Sequence, residues 1–156
     1  MTPAIRLLKS KKINFNLYTY ECNVLHDFGH HCAEELKRNM SEVYKTLLIH
    51  HDKTYFTVVI PVNCTLNLKH AAKLLKVKNV EMVDPKDAER ITGYIVGGIS
   101  PLGQKKLVKT LIDAEAVKHD EILVSGGKRG LSIGLKPQEL IGLLNATVGE
   151  ITDLQE

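Results

Sequence analysis

The chain of 156 residues contains no tryptophan, and aromatic residues make up only 5% of it. Few aromatic side chains means few platforms on which unpaired bases stack, which argues against a sequence-reading RNA-binding module. Only three cysteines are present, Cys22, Cys32 and Cys64, and no two of them form a CxxC pair. An odd, scattered set argues against a disulfide scaffold and predicts a reducing, cytoplasmic location.

Long apolar runs are also missing from the sequence. No stretch approaches the roughly 18 residues that a membrane span needs, and the residues after Met1 lack the apolar core of a signal peptide. We therefore expect neither export nor a membrane partner. Internal repeats, low-complexity tracts and Pro/Gly/Ser-rich linkers are absent too, so the length predicts one domain over residues 1–156.

The residues that are present are typical of a folded globular protein. Hydrophobic residues make up 44% and charged residues 25% of the chain, enough to build a buried core. The 21 Lys and Arg residues exceed the 18 Asp and Glu residues, which gives a formal net charge of +3. This mild excess permits contact with nucleic acid without requiring it.

Hydrophobic periodicity predicts helices and strands mixed along the chain, an α+β pattern. Thr2 and Asp84 are expected helix N-caps, because each is followed by a proline at the first helical position. The predicted helices are residues 3–12, 32–37, 68–75, 85–92 and 137–144. The predicted strands are residues 14–20, 43–50, 54–62, 80–83, 108–112, 121–124, 131–135 and 148–152. Residues 51–53 are expected to form a three-residue hairpin loop.

A glycine-rich segment from Gly93 to Gly103 is the first candidate site, with four glycines in eleven residues. Glycines let the backbone approach a ligand closely and turn N–H groups toward an anion or a developing oxyanion. Two ordinary turns would have a similar composition. Residues 98–103 have the glycine spacing of a P-loop, but Gln104 stands where its lysine is required, which excludes an ATPase or kinase.

Two further segments carry cations in unusual settings. Residues 125–130 form a glycine turn with two adjacent cations, which suits a phosphodiester or a carboxylate, or is simply a solvated turn. Lys45 lies on the same face of a predicted buried strand as Val43, Leu47 and Ile49. A lysine on such a face needs an anionic partner or a ligand, unless it reaches solvent from an edge strand.

A cluster of histidines and cysteines is the remaining candidate: Cys22, His26, His30, His31 and Cys32. Their spacing matches neither CxxC nor HExxH, so a solvated loop is expected rather than a metal site. Proximity in sequence is also no sign of a Cys–His nucleophile pair in space. We expect no metal and no cofactor.

Taken together, three motifs resemble the YbaK family of aminoacyl-tRNA deacylases. They are Lys45-Thr46-Leu47, the glycine-rich segment 93–103, and Ser125-Gly126-Gly127-Lys128-Arg129-Gly130-Leu131. Their order and spacing match over nearly the whole chain, and residues 66–72 and 81–82 add to the likeness. The resemblance implies a single α+β domain with a strongly curved, mixed, barrel-like β-sheet surrounded by helices, related to the editing domain of bacterial prolyl-tRNA synthetases.

The resemblance also implies a pocket for the 3′ end of an aminoacylated tRNA. Lys45 would be its essential cation, and Gly97, Gly98 and Ile99 would supply the backbone around the aminoacyl ester. The implied substrate-binding residues are Tyr20, Thr46, Ser125, Gly126, Lys128 and Arg129. Ser132 stands where some relatives carry an acidic residue, which argues against an acid/base role there. The resemblance leaves His26, His30 and His31 without a catalytic task.

Within the family, the likeness is stronger to free-standing deacylases of cysteinyl-tRNA(Pro) than to those that clear alanine. It implies that the substrate thiol attacks its own ester carbonyl, closes a small ring and releases the tRNA. Lys45 would favour the thiolate, and the Gly97 and Gly98 N–H groups would steady the oxyanion. Water attack on alanyl-tRNA(Pro), a noncatalytic RNA-binding module and a partner-recruiting domain stay open as alternatives. Prolyl-tRNA synthetase is a second candidate partner.

Overall fold

The computed structural model describes residues 1–154, in which helices and strands are mixed as the sequence predicts. The helices are α1 (Pro3–Ser10), α2 (Phe28–Leu36), α3 (Leu68–Leu75), α4 (Pro85–Thr92) and α5 (Pro137–Leu144). The strands are β1 (Asn16–Thr19), β2 (Tyr44–His51), β3 (Thr54–Pro61), β4 (Cys64–Leu66), β5 (Glu81–Met82), β6 (Lys109–Asp113), β7 (Ile122–Ser125), β8 (Leu131–Leu135), β9 (Thr147–Gly149) and β10 (Thr152–Leu154). Short 3-10 helices span Met40–Glu42 and Ala114–Lys118. No helix among these residues is long and apolar enough to cross a membrane.

Capping side chains begin two of the helices where the sequence predicts. The Thr2 hydroxyl accepts the Ile5 N–H at 3.3 Å, and the Asp84 carboxylate accepts the Asp87 N–H at 2.9 Å. Helix α4 ends at Thr92 and is capped by Gly93, whose φ of 81° is the left-handed conformation that suits glycine. The predicted bounds of α3 and α5 are confirmed.

The strands form three sheets, not one. A mixed five-stranded sheet has the order β5-β2-β3-β6-β9, and an antiparallel sheet has the order β1-β8-β7. Strands β4 and β10 form a third, antiparallel pair. An isolated parallel bridge between Val43 and Leu123 joins the first two sheets beside β2 and β7. The α+β class is therefore confirmed, but no sheet closes on itself within residues 1–154, so barrel closure is not.

Several predicted boundaries are corrected by the structure. His51 pairs with Thr54, so the β2–β3 turn has two residues and not three, with Asp52 at φ 50°. The predicted strand 148–152 is split into β9 and β10, because β9 pairs with β6 and β10 pairs with β4. Between them, the Asp113 carboxylate accepts the Ile151 N–H at 3.1 Å. The sequence did not predict β4, which exists through its pairing with β10.

The core lies on both faces of the five-stranded sheet, as the period-two alternation of a strand requires. Val59 of β3 packs with α1, α5 and the β1-β8-β7 sheet, whereas Val58 and Ile60 pack with α3 on the other face. A smaller cluster packs α2 against the bridge that joins the two sheets: Cys32, Ala33, Val43, Val62 and Leu123. This third cluster places the start of α2 beside β2.

Candidate functional site

A cavity of about 390 Å³ opens where β2, the start of α2 and the two glycine motifs come together. All three motifs found in the sequence contribute to its lining. The predicted site residues that line it are Tyr20, Lys45, Thr46, Gly97, Ile99 and Ser125. The predicted residues that lie outside the lining are Gly98, Gly126, Lys128 and Arg129. The structure thus brings together part of each motif, and the other predicted residues of the two glycine motifs lie outside the lining.

Lys45 is a half-buried cation without a carboxylate partner. It pairs with Ile60 in the β2–β3 ladder and lines the cavity. Burial lowers the pKa of the Lys45 ammonium, against the opposing influence of Cys64 and Asp27. Among residues 1–154 it takes part in none of the ion pairs. A desolvated, unpaired cation facing a cavity is positioned to meet an anionic or developing negative charge.

Thr46, the next residue, carries a second unsatisfied polar group. Its Oγ1 is buried and has no hydrogen-bond partner within the described part of the chain. Buried hydroxyls in folded proteins are nearly always hydrogen-bonded, so an orphan beside a cavity indicates a position that a ligand or a water completes.

The glycine-rich segment has backbone donors without acceptors in the lining of the cavity. Gly97 has a φ of 90°, which favours glycine, and the N–H groups of Gly97 and Ile99 find no acceptor among residues 1–154. The Gly98 N–H, in contrast, donates to the Ile95 carbonyl at 2.9 Å. The expectation that Gly98 donates to an oxyanion therefore does not fit this structure, because its N–H already closes a turn.

Gly98 has a different task, which is to let the two glycine motifs touch. A Cβ at Gly98 would lie only 2.7 Å from the Lys128 Cα, so only glycine fits this contact. Behind the contact, the Ser125 hydroxyl accepts the Gly127 N–H at 3.2 Å and shapes the turn while Ser125 borders the cavity. Gly126 is buried and the Lys128 side chain is exposed.

The start of α2 forms a wall of the cavity that the sequence reading missed. Asp27, Phe28, Gly29 and His30 line the cavity, and α2 begins at Phe28. His30 and His31 are therefore helical and not in a loop, and the His30 Nε2 lies 2.9 Å from the Val62 carbonyl oxygen. The apolar spacing of residues 28, 32, 33 and 36 was the available helical signal.

Three neutral polar side chains, Tyr20, Cys32 and Ser132, lie together in the lining. The Cys32 Sγ is 3.3 Å from the Ser132 Oγ. Burial raises the pKa of the Cys32 thiol and of the Tyr20 hydroxyl, so both stay protonated at neutral pH. A buried, protonated thiol is a poor nucleophile.

Taken as a whole, the lining can polarise and orient a bound group. Asp27 has the only carboxylate side chain among the described residues that line the cavity. Within residues 1–154 there is no group of three or more His, Cys, Asp or Glu side chains placed to hold a metal ion. The arrangement of one cation, one carboxylate and free backbone donors suits a small zwitterionic or ester-linked ligand.

Comparison with known proteins places this arrangement in a family. The model of the aminoacyl-tRNA editing domain matches residues 29–143. A protein of Enterococcus faecalis named "Putative Cys-tRNA(Pro)/Cys-tRNA(Cys) deacylase EbsC" is 40% identical over 152 residues, which cover 97% of this chain and 93% of that protein.

Solved structures share the fold over almost the whole chain. The crystal structure of a hypothetical protein has a TM-score of 0.88 at 22% identity and covers 97% of this chain and 99% of its own. A structure described as a "putative trans-editing enzyme for prolyl tRNA synthetase" has a TM-score of 0.85 at 18% identity. The match covers 98% of this chain and 99% of that chain. The family expected from the three motifs is confirmed: the chain belongs to the aminoacyl-tRNA editing domain family.

Proposed function

We propose that this protein is a trans-editing deacylase that releases cysteine from cysteinyl-tRNA(Pro). The observation that carries the proposal is the unpaired Lys45 ammonium, which lines one small cavity with the free N–H groups of Gly97 and Ile99. The choice of cysteine is supported by the Enterococcus faecalis relative, whose name specifies Cys-tRNA(Pro) and Cys-tRNA(Cys).

The cavity has polar groups for each part of an aminoacyl ester. At about 390 Å³ it lies within the range of small-ligand sites. The Asp27 carboxylate would accept the substrate's free α-ammonium, and Lys45 would face its thiol or ester. The orphan Thr46 hydroxyl would bond the terminal ribose. Exposed Lys128, at the edge of the glycine turn, would contact a phosphate of the tRNA 3′ end.

In the proposed reaction the nucleophile is the substrate's own sulfur. An ordinary thiol has a pKa of about 8.5, so little thiolate exists at neutral pH without a nearby cation. The Lys45 ammonium would favour the thiolate, whose proton is lost to water, and the sulfur attacks the carbonyl carbon to form a C–S bond. The ester C–O bond then breaks, the departing ribose oxygen takes a proton from the Lys45 ammonium, and the resulting amine regains a proton from water. The products are a cyclic cysteine thiolactone and free tRNA.

Two features of the cavity favour this route. Burial lowers the pKa of Lys45, which makes its ammonium a better proton donor to the departing ribose oxygen. The Gly97 and Ile99 N–H groups would hold the oxyanion, a contribution of roughly 3 kcal/mol per donor in other enzymes. Cys32 is a poor competitor as nucleophile, because burial raises the pKa of its thiol.

A second candidate is hydrolysis of alanyl-tRNA(Pro) by a water molecule. The orphan Thr46 hydroxyl favours it, since this group has the capacity to hold such a water. The two reactions differ in whether the substrate needs a free thiol.

A deacylation panel tests the proposal. Cysteinyl-, S-methylcysteinyl-, alanyl- and prolyl-tRNA(Pro) are incubated with the protein, and release of the amino acid is measured. We expect rapid release of cysteine and none of S-methylcysteine, whose sulfur cannot become a thiolate. Equal release of S-methylcysteine or alanine would replace the thiol mechanism with water attack. No release from any of the four would overturn the deacylase function.

The protein's own thiols need a separate control. A variant with Cys22, Cys32 and Cys64 all changed to Ala should still release cysteine within about threefold of the wild-type rate, because the attacking sulfur belongs to the substrate. Circular dichroism confirms that the variant is folded. A folded but inactive variant would contradict the substrate-thiol mechanism.

Docking on prolyl-tRNA synthetase and a cytoplasmic location stay predictions. An enzyme that edits tRNA(Pro) in trans gains from intercepting the product where it is made. Sedimentation of the chain with prolyl-tRNA synthetase, with and without tRNA(Pro), measures this association directly.

A further inference from the structure

Arg129 touches two walls of the cavity without lining the cavity itself. Its Nε donates to the Val96 carbonyl at 3.0 Å, and its Cζ lies 4.8 Å from the centroid of the Phe28 ring. Phe28 begins α2, Val96 belongs to the glycine-rich segment, and both line the cavity. One side chain from the second glycine motif therefore joins two segments that are distant in sequence.

The same contacts enclose Gly97. A Cβ at Gly97 would lie 2.9 Å from the Arg129 Nε and 2.9 Å from atoms of the Phe28 ring. The Gly97 Cα thus lies against the stacked guanidinium and ring, with no room for a side chain. Since Gly97 has one of the free N–H groups of the cavity, the direction of this donor depends on the contact.

We infer that Arg129 is a positioning residue for Gly97, and not a contact to the tRNA phosphates as its neighbour Lys128 suggests. The inference rests on the proposed function, in which the Gly97 N–H serves the oxyanion. Arg binds phosphate best through a planar fork of paired N–H groups. In Arg129 the Nε edge of that fork is already engaged by Val96, and one face lies over Phe28.

Lys128 and Arg129 therefore have different tasks although they are adjacent and equally charged. Both side chains are exposed, but that of Lys128 makes no hydrogen bond or ion pair among residues 1–154, whereas that of Arg129 contacts Val96 and Phe28. A solvated cation of this kind contributes to binding through charge, so its effect depends on salt. A bridging guanidinium acts through geometry, so its effect on the reaction rate does not.

Steady-state deacylation of cysteinyl-tRNA(Pro) over a range of salt concentrations separates the two roles. Arg129→Gln and Arg129→Lys should each lower kcat by about 10- to 100-fold, as small misplacements of reacting groups do, and leave KM and its salt dependence nearly unchanged. Lys128→Gln should raise KM and reduce the slope of log KM against log salt by about one. Lys73→Gln removes one exposed charge without an ion-pair partner among residues 1–154 and is the matched control, expected to resemble wild type.

The conservative substitution makes the test decisive. Lysine keeps the charge of Arg129 but has neither the Nε donor nor the planar face, so it should not rescue kcat. Wild-type kcat in Arg129→Lys would overturn the positioning role. So would a raised KM with a lower salt slope in Arg129→Gln, which is the behaviour of a phosphate contact.

Amide hydrogen exchange supplies a readout without tRNA. Arg129→Gln should speed exchange by about tenfold or more at Gly98, whose N–H is hydrogen-bonded to the Ile95 carbonyl in the turn that contains Gly97, whereas Lys128→Gln should leave it unchanged. Unchanged exchange in both folded Arg129 variants would overturn the inference. If the wild-type protein releases no amino acid, the proposed function fails, but exchange still decides whether Arg129 holds Gly97.

Discussion

Two half-buried cations of this protein, Arg38 and Lys45, show opposite solutions to the cost of removing a charge from water. The Arg38 guanidinium lies 3.1 Å from a Glu42 carboxylate oxygen and 3.0 Å from one of Glu121, and its Cζ sits 5.7 Å from the Tyr18 ring centroid. Burial alone would lower the pKa of Arg38, but the hydrogen bonds with Glu42 and Glu121 outweigh it and raise the pKa.

Lys45 lacks these compensations. Burial lowers the pKa of its ammonium, and no carboxylate pairs with it among residues 1–154. A buried charge that is paired belongs to the fold, whereas one that is left unpaired costs stability and is retained where a ligand completes it. The contrast is a physical reason to propose Lys45 as the functional cation, independent of its place in a motif.

Cavity size alone would not have separated the two regions. A second cavity, which Glu121 borders, has a volume of about 460 Å³ and is larger than the cavity beside Lys45. Yet the Glu121 carboxylate is satisfied by the Asn16 side-chain amide at 2.8 Å, by the Tyr18 hydroxyl at 3.0 Å and by Arg38. The proposed site is distinguished by polar groups that lack a hydrogen-bond or ion-pair partner, and not by the volume of its cavity.

Lys45→Ala gives the largest expected effect and tests the functional side of the comparison. Loss of the cation should reduce release of cysteine from cysteinyl-tRNA(Pro) by at least about 1000-fold, since both the thiolate and the developing oxyanion lose it. The far-ultraviolet circular dichroism spectrum and the melting temperature should stay close to wild type. Near-normal activity in this variant would remove Lys45 from the mechanism.

Arg38→Ala tests the structural side. It should lower the free energy of unfolding by about 2 kcal/mol, because Glu42 and Glu121 are left half-buried without their cation. Urea denaturation measures this loss, and kcat per folded molecule should stay within about twofold of wild type. Arg90→Ala, which removes an exposed pair with Asp87, is the control and should change little. An unchanged free energy of unfolding in Arg38→Ala would show that the paired Arg38 does not stabilise the fold.

Asp27→Asn tests whether the Asp27 carboxylate in the cavity lining contacts the substrate's α-ammonium. We expect KM for cysteinyl-tRNA(Pro) to rise about tenfold, the loss of a single charge-assisted contact. N-acetylcysteinyl-tRNA(Pro) has no ammonium, so the variant and wild type should handle it equally. Asp52→Asn, in the β2–β3 turn, serves as control. An equal loss on both substrates would show that Asp27 does not contact the ammonium.

Lys45→Met gives the smallest effect, and its sign is opposite to that of Arg38→Ala. Replacing an unpaired, half-buried ammonium by an apolar chain should raise the free energy of unfolding by about 1 kcal/mol near neutral pH. The pKa of Lys45 is lower in the folded state than in the unfolded state, so the unfolded state binds more protons between the two values. Wild-type stability therefore rises with pH across this window, and the advantage of the variant shrinks.

Urea denaturation of wild type and Lys45→Met from pH 7 to pH 10 measures this convergence. A variant that is less stable than wild type at pH 7 would show that the ammonium has a stabilising partner.

Local patterns predicted most of the helices and strands, because their causes lie within a few residues. The apolar stripe of α3 and the proline and cap of α4 are of this kind. Helix α2 begins at Phe28, earlier than predicted. Its N-cap, Asp27, has a left-handed φ of 52° and makes no side-chain capping bond, so the usual sequence signal of a helix start does not apply here. The strand β4 and the division between β9 and β10 depend on partners far along the chain, which periodicity does not report.

The candidate site divides in the same way. Lys45 and Gly97 stood out because a cation in a buried strand and a glycine cluster are visible in the sequence itself. The engagement of the Gly98 N–H and the bridge made by Arg129 depend on where Ile95, Val96 and Phe28 lie in space. Residues with the right chemistry were predictable, whereas the division of labour among them was not.

The contact between Gly98 and the Lys128 backbone has a consequence for protein engineering. A methyl group does not fit between the two glycine motifs, so the backbone conformation of each motif restricts which residues the other can contain. Chimeras between this chain and its relatives should therefore exchange residues 93–103 and 125–130 as one block. Mutant libraries that randomise only one of the motifs will sample mostly variants in which the facing backbone no longer fits.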